Sequence, residues 1–324
     1  MSTLDTLTRA HGHDLEQLNK RISSQLESTN SLMSRIVLSL LRTKGKQLRP
    51  LLLIMCAKQF GPVDERVLAA AAAVELLHNA SLIHDDVVDN AMTRRGRPTV
   101  NAVWDNHVAV LVGDYFTSSA MQEAISTGDI RIVDALCKLG RQLSLGEIDQ
   151  IYNAREHTLC EENYYRIIDY KTASLFIASA EMGCYAAGAP DSSREALARY
   201  ALLFGRCFQI RDDIFDYFPS EQVGKPTGND LREGKVSLPL LHCLTLEGCP
   251  GLDRVRELLS HDSLTDDEIA FIQAFARDNG GIDYAFGAMH RLRDEAVREL
   301  DIIEPGEIRS QLTELFDFII DRQF

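Results

Sequence analysis

"GPVDERVLAAAAAVELLHNASLIHDDVVDNA" runs from Gly61 to Ala91. It opens on two turn residues, Gly61 and Pro62, offers Asp64 as a helix cap, and continues in strong helix formers. The stretch therefore predicts a long helix. Near its end Asp85, Asp86 and Asp89 crowd among Leu82, Ile83, Val87 and Val88. Asp85 and Asp89 share one helical face, with Asp86 about 100° round from Asp85. Like charges this close are destabilising unless a counter-charge is supplied. A single group of this kind reads equally well as a solvated polar face. This one recurs: "QIRDDIFDYF" places Asp212, Asp213 and Asp216 at the same spacing in a second predicted helix.

The dominant period elsewhere is also helical. Leu15, Leu18, Ile22 and Leu26 step at three and four residues, and "SLMSRIVLSLLRTK" predicts a helix ending near Gly45. "AVWDNHVAVLVGDYFTSSAMQEAI" reads as helix with Gly113 as a tolerated interruption. "EENYYRIIDYKTASLFIASAEMGCYAAG" reads as another, closed by Gly188 and Pro190. Capping boxes are expected at Ser192 with Glu195 and at Thr265 with Glu268. Breaks fall at Gly280-Gly281 and Pro305-Gly306, and no alternating run bounded by hairpin turns predicts a strand. The expectation is an all-α fold over residues 1–324 as a single domain. Its longest polar loop, Pro219 to Lys235, is a candidate lid.

The chain has 324 residues, 45% of them hydrophobic, enough for a sizeable core, and a net charge of -14. That acidity argues against nucleic acid and against strong attraction to anionic lipid. The seven cysteines are scattered and form no C-x-x-C pair, which suits free, mostly buried thiols in a reducing compartment. No signal peptide is evident, and no apolar run is long enough to span a membrane. A cytoplasmic, soluble protein is the expectation, with attachment to a membrane surface left open.

Paired aspartate groups facing a cavity suit hard divalent cations such as Mg²⁺, which accepts few carboxylates and keeps water and phosphate oxygens. The histidine and cysteine that a transition metal favours are not near the second group. Such cations need an anion, and basic residues stand at separated points: Lys46, Arg49, Arg94, Arg95, Lys171, Lys225 and Lys235. Singly each reads as surface. Together with the aspartates they describe a diphosphate pocket in an acidic protein.

With these motifs the chain resembles the trans-isoprenyl diphosphate synthases, most like the medium- and long-chain, octaprenyl-type members. The two aspartate motifs match, as do "GKQLRP", "ELLH" ending at His78, Arg94-Arg95-Gly96, Gly146-Glu147 with Gln150, Lys171-Thr172-Ala173, Gln209, and the Gly224–Lys235 stretch. Two positions depart. Lys44 replaces the first glycine of a Gly-Gly pair, and Gln47 stands where a basic residue is common.

The resemblance implies an isoprenoid-synthase helical bundle with a central cavity, acting as a homodimer. It implies an allylic diphosphate, such as farnesyl diphosphate, held by three Mg²⁺ ions on Asp85, Asp86, Asp89, Asp212, Asp213 and Asp216. Arg94, Lys171, Lys225 and Lys235 would neutralise the leaving diphosphate. Isopentenyl diphosphate would bind Lys46, Arg49, His78 and Arg95, while Thr172 and Gln209 would offer oxygen dipoles to the allylic cation. His84 has no metal role in the family pattern and reads as structural. The growing chain would pass Leu77, Ala80 and Ser81 and the helix of Tyr115, Phe116, Ser119 and Met121. Ala80 and Ser81 are small where fifteen-carbon synthases commonly carry an aromatic ring, so a longer product is expected, such as a quinone side chain. A twenty-carbon geranylgeranyl synthase is the runner-up, ahead of a class I terpene cyclase, whose second motif normally mixes Asn, Ser or Thr with Glu.

Overall fold

The computed structural model describes residues 3–42, 45–156, 159–219, 227–261 and 263–322, with the backbone alone for 154–156. The chain is all-α. Helices α1 (Thr3–Ala10), α2 (Gly12–Gln25), α3 (Ser31–Leu41), α4 (Leu48–Lys58) and α5 (Glu65–Val88) lead into a small hairpin, β1 (Thr93–Arg94) and β2 (Arg97–Pro98). Next come α6 (Val100–Val103), α7 (Asn106–Ser126), α8 (Ile130–Glu156) and α9 (Glu161–Ile168). A π-turn over Asp169–Ala173 joins α9 to α10 (Ser174–Ala187), followed by α11 (Asp191–Asp216) and α12 (Asn229–Arg232). The remainder is α13 (Leu238–Leu244), α14 (Leu252–Leu258), α15 (Asp266–Asp278), α16 (Gly281–Glu299) and α17 (Glu307–Asp321).

The chain divides into two compact units. One is Met1–Arg141, Leu175–Ala198 and Ile302–Leu312; the other is Gln142–Ser174, Arg199–Asp301 and Thr313–Phe324. The first is built around α5, which packs against α2, α4 and, most extensively, α7. Ala69 to Val74 are essentially without exposed surface, as are Leu51 to Ala57 of α4, so both helices are apolar on every side through these stretches. Each fully buried leucine there contributes about 1.5–3 kcal/mol. Among the described residues α5 is the one helix long and apolar enough to cross a membrane, yet 72% of its most apolar window is buried within the protein. It is a core helix. The Asp64 carboxylate starts it by accepting the Val67 N–H at 3.0 Å.

In the second unit, Tyr217, Leu231, Leu240, Val255, Ile272 and Phe275 belong to one buried cluster. Tyr200, Phe204 and Phe316 form another, with edge contacts to Phe316 at 5.9 and 5.6 Å.

Thr265 and Glu268 form the expected capping box. Ser192 and Glu195 do not: α11 begins at Asp191, so Ser192 lies inside its first turn, and the Pro190 carbonyl accepts the Arg194 N–H at 3.0 Å. The hairpin was not anticipated. Its two-residue turn, Arg95-Gly96, has φ of +52° and +72°, both in the left-handed region that a tight hairpin of this hand requires. Gly113 is more than a tolerated interruption. A Cβ there would lie 2.2 Å from His84 Nε2, so its bareness seats the His84 ring between α5 and α7. That ring hydrogen-bonds the Val110 carbonyl at 3.3 Å, in keeping with a structural histidine. The described cysteines are all free, with Cys56, Cys184, Cys207 and Cys243 buried.

Candidate functional site

Both aspartate motifs lie at helix C-termini. Asp85 and Asp86 occupy the last turn of α5 with Asp89 as its cap, and Asp212, Asp213 and Asp216 occupy the last turn of α11. A helix C-terminus carries partial negative charge, so carboxylates there are disfavoured twice, by the dipole and by one another. The placement favours a cation.

In the first unit, Arg94 Nε donates to Asp86 Oδ1 at 2.8 Å. Asp86 is buried, which pushes its carboxyl up, while Arg94 pulls it down. Asp85 is half-buried and Asp89 exposed. Two turns earlier in α5, His78 is 8% exposed. Burial and then the charges of Arg49, Arg95 and Arg94 hold its pKa well below the ordinary value, so the ring is neutral at pH 7. Its Nδ1 is buried and has no hydrogen-bond partner. Arg49 lies over the Phe176 ring at 4.9 Å. Arg95 lies across Gly45, where a Cβ would meet its guanidinium at 2.7 Å. The glycine of "GKQLRP" therefore makes room for the arginine of "TRRG". Lys46 is exposed in the same loop, and Gln47, at φ +49°, donates to Asn19 at 3.0 Å. Lys44 lies outside the described residues.

Glu75, the acid of "ELLH" to which the sequence assigns no role, belongs here too. Burial raises its pKa, while Arg49 and Arg95 lower it. It is a counter-charge one turn from His78.

On the expected chain path, Leu77 is 8% exposed, Ala80 has no exposed surface, and Ser81 is half-buried. Phe116 and Ser119 of α7 are buried, Met121 is exposed, and Tyr115 donates to the Glu27 carbonyl at 3.3 Å.

The second unit holds a cavity of about 200 Å³, lined among others by Gln150, Tyr164, Lys171, Thr172, Gln209 and Asp213. Lys171 and Thr172 sit in the π-turn, where an extra residue in the turn reorients the side chains. Gly146 makes that approach possible: a Cβ there would lie 2.9 Å from Tyr170 Cβ and 3.0 Å from the Lys171 nitrogen. Its neighbour Glu147 pairs with Lys171 at 2.5 Å, and Lys171 also donates to Gln150 at 3.3 Å.

Each aspartate of the second motif is engaged differently. Asp212 pairs with Arg322. Asp213 accepts from Tyr164 at 2.6 Å and from Gln209 at 2.7 Å, and Gln209 in turn accepts from Thr172 at 2.6 Å. Burial, then Asp230, pushes the Asp213 carboxyl well up. Asp216 accepts the backbone N–H of Gly228 at 2.9 Å and of Asp230 at 3.2 Å, tying down the start of α12.

Lys235 lines the cavity and pairs with Glu233. Lys225 lies outside the described residues. Asp230 was also missed as a site residue, although it falls within the matched Gly224–Lys235 stretch. It lines the cavity, and burial followed by Asp216 pushes its carboxyl up to about 6.

Among the described residues no three carboxylate, imidazole or thiolate groups converge as a self-sufficient metal cluster. The donor set is oxygen from single carboxylates, which fits a hard cation completed by water and phosphate oxygens.

The architecture has close counterparts. A decaprenyl diphosphate synthase from Rhodobacter capsulatus superposes with a TM-score of 0.92 at 32% identity, over 99% of each chain. A polyprenyl synthase from Caulobacter crescentus, complexed with calcium and isoprenyl diphosphate, gives 0.92 at 31% identity, over 99% of this chain and 98% of that one. An octaprenyl diphosphate synthase from Haemophilus influenzae is 32% identical over 100% of this chain and 98% of its own. Residues 30–275 match the sequence profile of the polyprenyl synthetase family. The chain belongs to that family and is a prenyltransferase of the isoprenoid-synthase fold.

Proposed function

We propose that the protein condenses isopentenyl diphosphate with an allylic diphosphate, farnesyl diphosphate among them, and repeats the addition to give a long all-E polyprenyl diphosphate. The observation that carries this reading is the charge arrangement at the end of α5. Carboxylates stand at the negative end of a helix, and the charges of Arg49, Arg95 and Arg94 bear on a neutral, buried His78 two turns earlier. Divalent cations and diphosphate complete such an arrangement.

Carboxylates of the two aspartate motifs would hold Mg²⁺, three ions when diphosphate is bound, and these would neutralise the diphosphate oxygens. Arg94, Lys171, Lys225 and Lys235 add to that neutralisation as the allylic C–O bond breaks and its electron pair leaves with the diphosphate. Lys46, Arg49 and Arg95 hold isopentenyl diphosphate as point and forked charges, and His78, being neutral, donates one N–H without adding charge. The isopentenyl double bond supplies the pair for the new C–C bond. The adjacent carbon then loses a proton to the released diphosphate, and the E double bond forms. Thr172 and Gln209 place oxygen dipoles, not an anion, beside the allylic cation. This stabilises the cation without trapping it.

A homodimer is supported by α7, whose outward residues Val110, Leu111, Met121 and Ile125 are exposed. The cytoplasm is the compartment that suits the free cysteines, and the whole chain acts as one catalytic domain.

The test is product analysis by mass spectrometry, with Mg²⁺, isopentenyl diphosphate and allylic primers of several lengths. Long linear diphosphates are expected. Cyclic hydrocarbons or no diphosphate release refute the reading, and a product that stops at twenty carbons favours the geranylgeranyl alternative.

A further inference from the structure

We propose that Asp213 is a positioning residue that sets the hydrogen-bond polarity of the cavity wall, and that it does not serve as a metal ligand. The proposal rests on the prenyl-transfer reading above and divides the second aspartate motif by role. Both oxygens of Asp213 are occupied by protein: Tyr164 donates to Oδ2 at 2.6 Å and Gln209 Nε2 donates to Oδ1 at 2.7 Å. The group is 4% exposed, whereas Asp212 and Asp216 are only partly buried.

The consequence runs along the chain of bonds. A carboxylate only accepts, so the end of the Gln209 amide that faces Asp213 is its NH₂. That orientation points Gln209 Oε1 at Thr172. An amide oxygen also only accepts, so the Thr172 hydroxyl must donate its single proton to it, at 2.6 Å. Thr172 therefore has only lone pairs left for the cavity that it and Gln209 line. A hydroxyl fixed this way stabilises positive charge and cannot present its proton to it. The order holds whether or not Asp213 carries a proton, provided that proton sits on the Tyr164 side.

Asp213→Asn would break this order, because the new amide can face Gln209 with either end. Gln209 could then reverse, and Thr172 could turn its proton into the cavity. Adding Gln209→Glu to Asp213→Asn restores the order with the same net charge. The introduced asparagine then donates to the introduced glutamate. That carboxylate, acceptor-only, again compels Thr172 to donate.

The experiment compares wild type, Asp213→Asn, the double variant and Tyr164→Phe by steady-state kinetics. Alongside, titration calorimetry measures the binding of Mn²⁺ with inorganic diphosphate. Asp213→Asn should lower kcat about 10²-fold, as loss of a preorganised dipole does, with KM for both substrates and Mn²⁺–diphosphate affinity within about twofold of wild type. Because the introduced carboxylate lines the cavity and can capture the allylic cation, the double variant is read by its first-turnover rate of diphosphate release, which should regain about tenfold over Asp213→Asn, a coupling that independent sites do not show. A tenfold or greater loss of Mn²⁺–diphosphate affinity in Asp213→Asn, with kcat restored at saturating metal, would make Asp213 a ligand and overturn the proposal. Unchanged kcat, or no recovery in the double variant, also overturns it. If Asp213→Asn loses its cooperative melting transition, Tyr164→Phe carries the test: the carboxylate still fixes Gln209, so kcat and Mn²⁺–diphosphate affinity should both stay within about threefold of wild type, and a change of about tenfold in metal affinity on freeing that oxygen overturns the proposal. A wild-type chain that binds Mn²⁺–diphosphate yet makes no product refutes the prenyl-transfer reading itself, and the proposal with it.

Discussion

A phenylalanine at Ser81 should shorten the product, whereas the same ring one residue earlier should chiefly destabilise the protein. Ser81 lies four residues before Asp85, on the face of α5 that carries Asp85 and Asp89, and it keeps exposed surface. Ala80 is turned about 100° away from Ser81 by the helical period. It is 0% exposed, so a ring there meets protein instead of space. Each round of elongation adds a five-carbon unit, and at about 0.8 kcal/mol per buried CH₂ that unit gains about 4 kcal/mol from an apolar tunnel. Blocking the tunnel forfeits that gain, a factor of about 10³, which is enough to stop elongation sharply at the blocked length. Overpacking at Ala80 costs about 1–3 kcal/mol of folding stability. The assay is reversed-phase separation and mass spectrometry of dephosphorylated products from farnesyl diphosphate, with thermal melting alongside. Ser81→Phe should shift the product by at least one unit at near-wild-type melting temperature, and Ala80→Phe should melt lower. Wild-type product lengths from Ser81→Phe, together with shorter products from a normally stable Ala80→Phe, would place the tunnel on the other face and refute the reasoning.

Three further outcomes are expected. Arg95→Gly relieves a left-handed backbone at φ +52°, so it should melt at or above the wild-type temperature while raising KM for isopentenyl diphosphate about tenfold and leaving the allylic KM unchanged. Gly146→Ala places a methyl 2.9 Å from Tyr170 Cβ. It should displace the π-turn and lower kcat about tenfold or more in initial-rate assays, with a stability loss of about 1–3 kcal/mol by denaturant titration. Asp230 has its carboxyl raised to about 6 by burial and Asp216, so its contribution to stability is present below about pH 4 and is lost as pH rises through 6. Asp230→Asn, free of that loss, should melt above wild type at pH 8 in chelator, with the difference gone by about pH 4 in thermal scans.

The helices and both aspartate motifs were legible because each is a local pattern. Ala69 to Val74 announce a buried helix by composition, and Asp85 with Asp89 share a face by spacing alone. The site's partnerships were not legible in the same way. Arg322 reaches Asp212 across 110 positions, and Tyr164 reaches Asp213 across 49. Neither spacing follows from a helical period. The π-turn reads as ordinary helix in the sequence, because an extra residue in one turn leaves the apolar pattern on either side intact. The Arg95-Gly96 hairpin escaped notice because its strands are two residues each and its first turn residue is an arginine, which rarely adopts positive φ. Asp230 and Glu75 carry no spacing signal of their own, and only the fold sets them, each partly buried, among other charged groups.

The π-turn at Asp169–Ala173 makes this part of the site depend on the number of residues as well as on their identities. Removing any one of the five would let an unbroken α-helix form from Glu161 to Ala187 and rotate the side chains of α9 by about 100° about the helix axis. Tyr164 would then swing away from Asp213 even though every side chain named here outside the turn was still present. A one-residue deletion in this segment is thus a different kind of lesion from a substitution. The chain keeps its helix and its second aspartate motif, and loses the phase that brings Tyr164 to Asp213.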